Sequence, residues 1–147
     1  MNDIMLQFKI HSSPDRVYQA ITTSAGISNW WTRDAVLDAR AGGIGIFGFN
    51  EHQFIIDVRV GALEKNKRLA FDEVKSSHGG FDGTSISFEL DGDSTHTTLK
   101  FSHRGFKSAE AMPGITTRWA YYLYSLKKYL EEGTGTPNPN DSDVWSG

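Results

Sequence analysis

The apolar residues near the start of the chain alternate: Ile4, Leu6, Phe8 and Ile10 fall on one side, Met5, Gln7 and Lys9 on the other. The same period runs through Phe54, Ile56, Val58 and Val60, which oppose Gln53, Asp57 and Arg59. It recurs in Ile86, Phe88 and Leu90 against Ser85, Ser87 and Glu89, and in Thr97, Leu99 and Phe101 against His96, Thr98, Lys100 and Ser102. A period of two with one polar side describes strands that bury one face and wet the other, as in an antiparallel sheet. Weaker stretches at 34–39, 43–49 and 68–75 bring the prediction to seven strands. Asn50-Glu51, Lys65-Asn66-Lys67, Ser77-His78-Gly79-Gly80 and Asp91-Gly92-Asp93 punctuate them as turns.

Two helical stretches break this pattern. Ser13 can cap a short helix that starts at Pro14 and carries Asp15 at its positive end, with Val17, Ala20 and Ile21 as its apolar side. A turn near Ser24-Ala25-Gly26 and a second short helix lead to Trp30-Trp31. The other stretch spans 113–132, with a proline only at its start and Gly133 placed as a C-terminal cap. At about 100° per residue, Ile115, Trp119, Tyr122, Leu123, Leu126 and Leu130 share roughly a third of the circumference, and Tyr124 points away. A sheet with one apolar face and a helix with one apolar stripe bury each other if the sheet curls around the helix. The expected class is therefore α+β. The domain covers 1–133, and the low-complexity tail 134–147 is expected to be flexible or held to the surface through Trp145.

This order, a strand, two short helices, six strands and a long C-terminal helix, resembles the helix-grip fold of the START-like (SRPBCC) superfamily. The residues Ser12-Ser13-Pro14-Asp15-Arg16-Val17-Tyr18, the pair Trp30-Trp31, the turn Ala41-Gly42-Gly43 and the strand exit Phe101-Ser102-His103-Arg104-Gly105-Phe106 carry the likeness, together with the closing helix from Arg118-Trp119 to Gly133. Taken together they resemble the branch of heat-shock-protein-90 ATPase activator homologues. The resemblance implies a seven-stranded antiparallel curved sheet around the long helix and a cavity between them. It implies no reaction, because one fold hosts carriers, chaperone co-factors and enzymes. The chain departs from the branch at Arg118, where a small glycine is usual before the tryptophan. Arg118 lies at the edge of the stripe and is expected to reach over the cavity mouth.

Composition narrows the reading. The chain has 147 residues, which is one domain's worth. It has no cysteine, so disulfides, thiolate metal sites and cysteine nucleophiles are excluded. A net charge of −3 lacks the basic footprint of a nucleic-acid binder. The N-terminus has neither the basic nor the apolar region of a signal peptide, and no apolar run reaches the ~20 residues of a membrane span. A cytoplasmic protein without membrane or nucleic-acid partners is the default expectation.

Aromatic residues make up 12% of the chain, enough to line a pocket. The candidate ligand-binding residues are Trp30, Trp31, Phe49, Phe54, Phe81, Phe88, Phe101, His103, Arg118, Trp119, Tyr122 and Leu126. His103 continues the inward parity of Leu99 and Phe101 and is the best candidate for an acid or base. Its plainer reading is a structural histidine that orders the Gly105 turn. The five histidines lack metal-ligand spacing, and neither a G-x-S-x-G elbow nor a G-x-G-x-x-G loop is present, so no metal, cofactor or catalytic group is assigned. The expected function is binding of a small hydrophobic or amphipathic molecule between sheet and helix. The alternatives are a chaperone ATPase-activating interaction module, which would use Tyr121 and Tyr124, and a cyclase- or hydrolase-type enzyme that uses His103. Exposed strand edges and Tyr124 leave room for a homodimer.

Overall fold

A computed structural model describes residues 2–141 and 144. The elements run β1 (Asn2–Ile10), α1 (Pro14–Thr22), α2 (Ser24–Ile27), β2 (Asp34–Leu37), β3 (Ile44–Phe49), β4 (Phe54–Glu64), β5 (Arg68–Ser76), β6 (Thr84–Gly92), β7 (Thr97–Phe106) and α3 (Met112–Glu132). All strands join one seven-stranded antiparallel sheet in the order β1-β7-β6-β5-β4-β3-β2. The first strand closes on the last, so β1 and β2 are the edges. The sheet's buried face and the apolar stripe of α3 form a single core.

Local chemistry sets the element ends. Ser13 accepts a hydrogen bond from the Arg16 amide at the start of α1, with Pro14 in the first turn. The Thr23 side chain does the same for Gly26 at α2. Gly133 ends α3 with a φ of 90°, and its amide donates to the Tyr129 carbonyl. Curvature comes from β4 and β5. Their pairing shifts register between Asp57 and Arg59 and again between Val60 and Leu63, and such bulges bend a sheet.

All six predicted stripe residues of α3 are buried, as is Ser125, and Tyr124 faces outward. On β3 both Phe47 and Phe49 turn inward, which leaves Ile44 and Ile46 outside. Trp30 and Trp31 follow α2 in a turn rather than an extended segment. Their rings stack with centroids 5.7 Å apart, and both are buried.

Residues 134–141 lie against the domain. The Thr136 amide donates to Ser125 Oγ at 2.7 Å, the Asn138 amide to the Trp31 carbonyl at 3.0 Å, and the Arg33 amide to the Asn138 carbonyl at 3.1 Å. Gly135 is required in this run, because a Cβ there would sit 2.3 Å from the Asn29 carbonyl oxygen. Trp145 lies outside the described residues. No described helix is long and apolar enough to cross a membrane.

Candidate functional site

The inward parity of β7 buries His103 completely. Its Nδ1 accepts the indole N–H of Trp119 at 3.1 Å. That leaves the ring proton on Nε2, which donates to Thr84 Oγ1 at 2.8 Å, and the Thr84 hydroxyl donates to the Phe81 carbonyl at 2.6 Å. One relay thus ties α3, β7, β6 and the 77–83 loop together. Burial lowers the imidazole pKa to about 3, so the ring stays neutral. Both nitrogens are spent on protein groups. The ring therefore holds Trp119 and Phe81 in place and offers no free atom to a bound molecule. The expected bond to the Gly105 turn is not made; the Gly105 amide donates to Asp3 Oδ1 instead.

Around this relay the rings fill most of the space between sheet and helix. Trp31 lies 4.5 Å from Phe47, 5.2 Å from Trp119 and 5.7 Å from Phe49. Phe101 lies 4.4 Å from Trp119. The cavity that the family resemblance implies is accordingly reduced here to an apolar hollow of about 20 Å³. That is room for one water molecule. Trp31, Phe49, Phe54, Ile56, Phe81, Ile115, Arg118, Trp119 and Tyr122 line it. The hollow leads to an outer groove of about 490 Å³ lined by Asn50, Gln53, Phe54, Ser76, His78, Gly80, Phe81, Ala111, Ile115 and Arg118. Phe54, Phe81, Ile115 and Arg118 border both spaces and form the mouth.

Of the sequence candidates, Trp31, Phe49, Phe54, Phe81, Arg118, Trp119 and Tyr122 meet at the hollow. Trp30, Phe88, Phe101, His103 and Leu126 do not border it. Trp30 donates its indole N–H to the Ala20 carbonyl at 2.8 Å, and Phe88 packs between Trp30 and Phe101. The sequence reading missed Ile115 as a wall residue, although it opens the α3 stripe, and missed the groove's polar side entirely. His78 stacks on Phe54 with ring centroids 5.4 Å apart, a pairing between a loop and a strand that no periodicity could reveal. His52 pairs with Asp34 at 2.6 Å on the surface, and His96 lies 3.3 Å from Asp93.

Tail residues brace two of the lining residues, Tyr122 and Asn50, without lining either space themselves. The Tyr122 hydroxyl donates to buried Asp141, which also accepts from Asn138 Nδ2 at 2.9 and 3.1 Å. Asn138 in turn clasps Asn50: the Asn50 amide donates to Asn138 Oδ1 at 3.0 Å, and Asn138 Nδ2 donates to Asn50 Oδ1 at 2.9 Å. This clasp holds a turn in which Asn50, Glu51 and His52 all adopt positive φ. Among the described residues no three His, Asp or Glu side chains converge as metal ligands.

Comparison with known proteins gives a consistent picture. The family model for activator of Hsp90 ATPase homolog 1-like protein matches residues 11–131. The solution structure of the Aha1 dimer from Colwellia psychrerythraea superposes with a TM-score of 0.81 at 33% identity, covering 92% of this chain and all 100% of that one. Protein MLL2253 from Mesorhizobium loti (TM-score 0.76, 22% identity, 88% of this chain and 97% of that one) shares the fold. So does CalU16 from Micromonospora echinospora (TM-score 0.73, 19% identity, 97% and 80%). No curated protein matches the chain.

Proposed function

The chain belongs to the activator of Hsp90 ATPase homolog 1-like family, and on that premise we propose that it binds a small apolar or amphipathic molecule at the mouth between sheet and helix. One observation carries this reading: a hollow lined, Arg118 apart, by aromatic and aliphatic side chains opens through Phe54, Phe81, Ile115 and Arg118 into a groove with the volume of a small-molecule site. The ligand's apolar part enters by displacing Phe81. The Phe81 backbone stays held by the Ser76 and Thr84 side chains, so it is the phenyl ring alone that swings aside. The Trp119–His103–Thr84 relay keeps the opposite wall fixed.

The test is a ¹H–¹⁵N NMR titration with 2-naphthol as a neutral aromatic probe. Saturable shifts of the Trp31 and Trp119 indole N–H signals support the reading. Their immobility at millimolar probe contradicts it.

A second reading rests on a separate surface. We infer that two copies pair through the outer face of β2 and β3, as the relative from Colwellia psychrerythraea is a dimer. Val36 and Ile46 sit opposite each other with Ile44 alongside, and they are 65%, 42% and 51% exposed. Asp57, Arg59, Glu73 and Lys75 border the patch with both signs, a pattern a two-fold copy can match against itself. Light scattering of the wild type and of Ile46→Lys distinguishes the outcomes: a dimer converted to a monomer supports the pairing, and an unchanged mass contradicts it.

A further inference from the structure

We propose that residues 136–141 latch the hollow shut, so that docking of this tail and binding of a small molecule oppose each other; the inference rests on the small-molecule reading above. One short segment bonds to residues of both spaces. The Asn138 amide donates to the Trp31 carbonyl, the Asn138 side chain clasps Asn50, and Asp141 accepts from the Tyr122 hydroxyl. Trp31 and Tyr122 line the hollow, and Asn50 lines the groove.

A hollow with room for one water has to widen before it can take a ring. Two of its walls are fixed by the fold: His103 holds the Trp119 indole N–H, and Trp31 is wedged between Phe47 and Trp119. Tyr122 is placed differently. Its ring lies 5.9 Å from Phe49, and its hydroxyl is held by Asp141 of the tail. The swing of the Phe81 ring opens the mouth, and an outward tilt of Tyr122 deepens the hollow behind it. That tilt breaks the bond to Asp141. The tail is suited to giving way. It leaves α3 through Gly133, whose φ is 90°, and Gly135. Besides Pro137, its buried residues are the polar Asn138 and Asp141. Hydrogen bonds that water can replace give such a segment little net hold. Coupling between two binding events is reciprocal, so whatever loosens the tail tightens the ligand, and the ligand loosens the tail by the same factor.

The experiment titrates 2-naphthol into the wild type, Asn138→Ala and Gly135→Ala, read by the Trp31 and Trp119 indole N–H signals. Gly135→Ala frees the tail from a distance: its Cβ would lie 2.3 Å from the Asn29 carbonyl oxygen and 2.9 Å from Ser125 Oγ, and neither residue lines the site. Both variants are expected to bind the probe about fivefold more tightly than the wild type. In the wild type, saturating 2-naphthol is expected to speed hydrogen exchange of the Arg33, Thr136 and Asn138 amides, which the docked tail protects, by the same factor. Binding that is unchanged or weaker in both variants, or exchange that the probe leaves unchanged or slows, overturns the latch while leaving the pocket standing. A probe that binds the variants but not the wild type supports the latch. A probe that binds none of the three overturns the latch together with the pocket reading beneath it.

Discussion

The indole N–H of Trp119 on α3 donates to Nδ1 of His103 on β7 across 3.1 Å of buried space, and this bond decides what the histidine is for. Since the folded pKa of His103 is near 3, against 6.5 ordinarily, the unfolded chain takes up the proton first on acidification. Its contribution to stability is whole above pH 6.5 and is lost as the pH falls toward 3, by at most about 1.4 kcal/mol per pH unit. Urea unfolding at stepped pH is expected to show this slope in the wild type and a shallower one in His103→Gln. At pH 7 the variant should also be less stable by about 2 kcal/mol, with the buried Trp119 N–H poorly met.

The tail is structural over its described part. Asn138→Ala removes the clasp on Asn50 and a donor to Asp141, and is expected to cost about 2 kcal/mol. Limited proteolysis should then cut the tail and the 50–53 turn earlier than in the wild type. Unchanged digestion would mean that the clasp does not hold the tail down.

Most of the fold was legible because it follows from two periods. The stripe from Ile115 to Leu130 and the alternation in β1, β4, β6 and β7 each leave one apolar face, and only mutual burial satisfies both. The inward parity of His103 was legible for the same reason. Its partners were not, because Thr84 and Trp119 reach it from other elements. The amount of open space was also hidden. Periodicity tells which rings point inward but not whether they interdigitate, and Trp31 against Phe47 and Trp119 uses up the gap. The packing of residues 134–141 carried no signal, since polar low-complexity sequence orders here through Asn138 and Asp141 rather than apolar burial.

Gly43 sits where the chain enters β3, and a Cβ there would lie 2.1 Å from the Asp38 carbonyl oxygen and 2.9 Å from that of Arg40. Both obstacles are backbone and cannot swing aside. Gly43→Ala is expected to destabilise the fold by about 2 kcal/mol or more in thermal unfolding, whereas Gly80→Ala, with nothing nearby, should be close to neutral.

Phe81→Ala removes the ring that separates the hollow from the groove. The loss of a nearly buried phenyl is expected to cost about 3 kcal/mol. The same change should tighten 2-naphthol binding several-fold, because the ligand no longer has to displace the ring. Weaker binding would show that Phe81 is a wall and not a gate.

The most direct measurement is a crystal structure grown with saturating 2-naphthol. The account predicts the bicyclic ring against Phe54 and Ile115, with Phe54 and Phe81 parted beyond their present 5.8 Å. Rings left in place, with the probe absent or bound on another face, would contradict it.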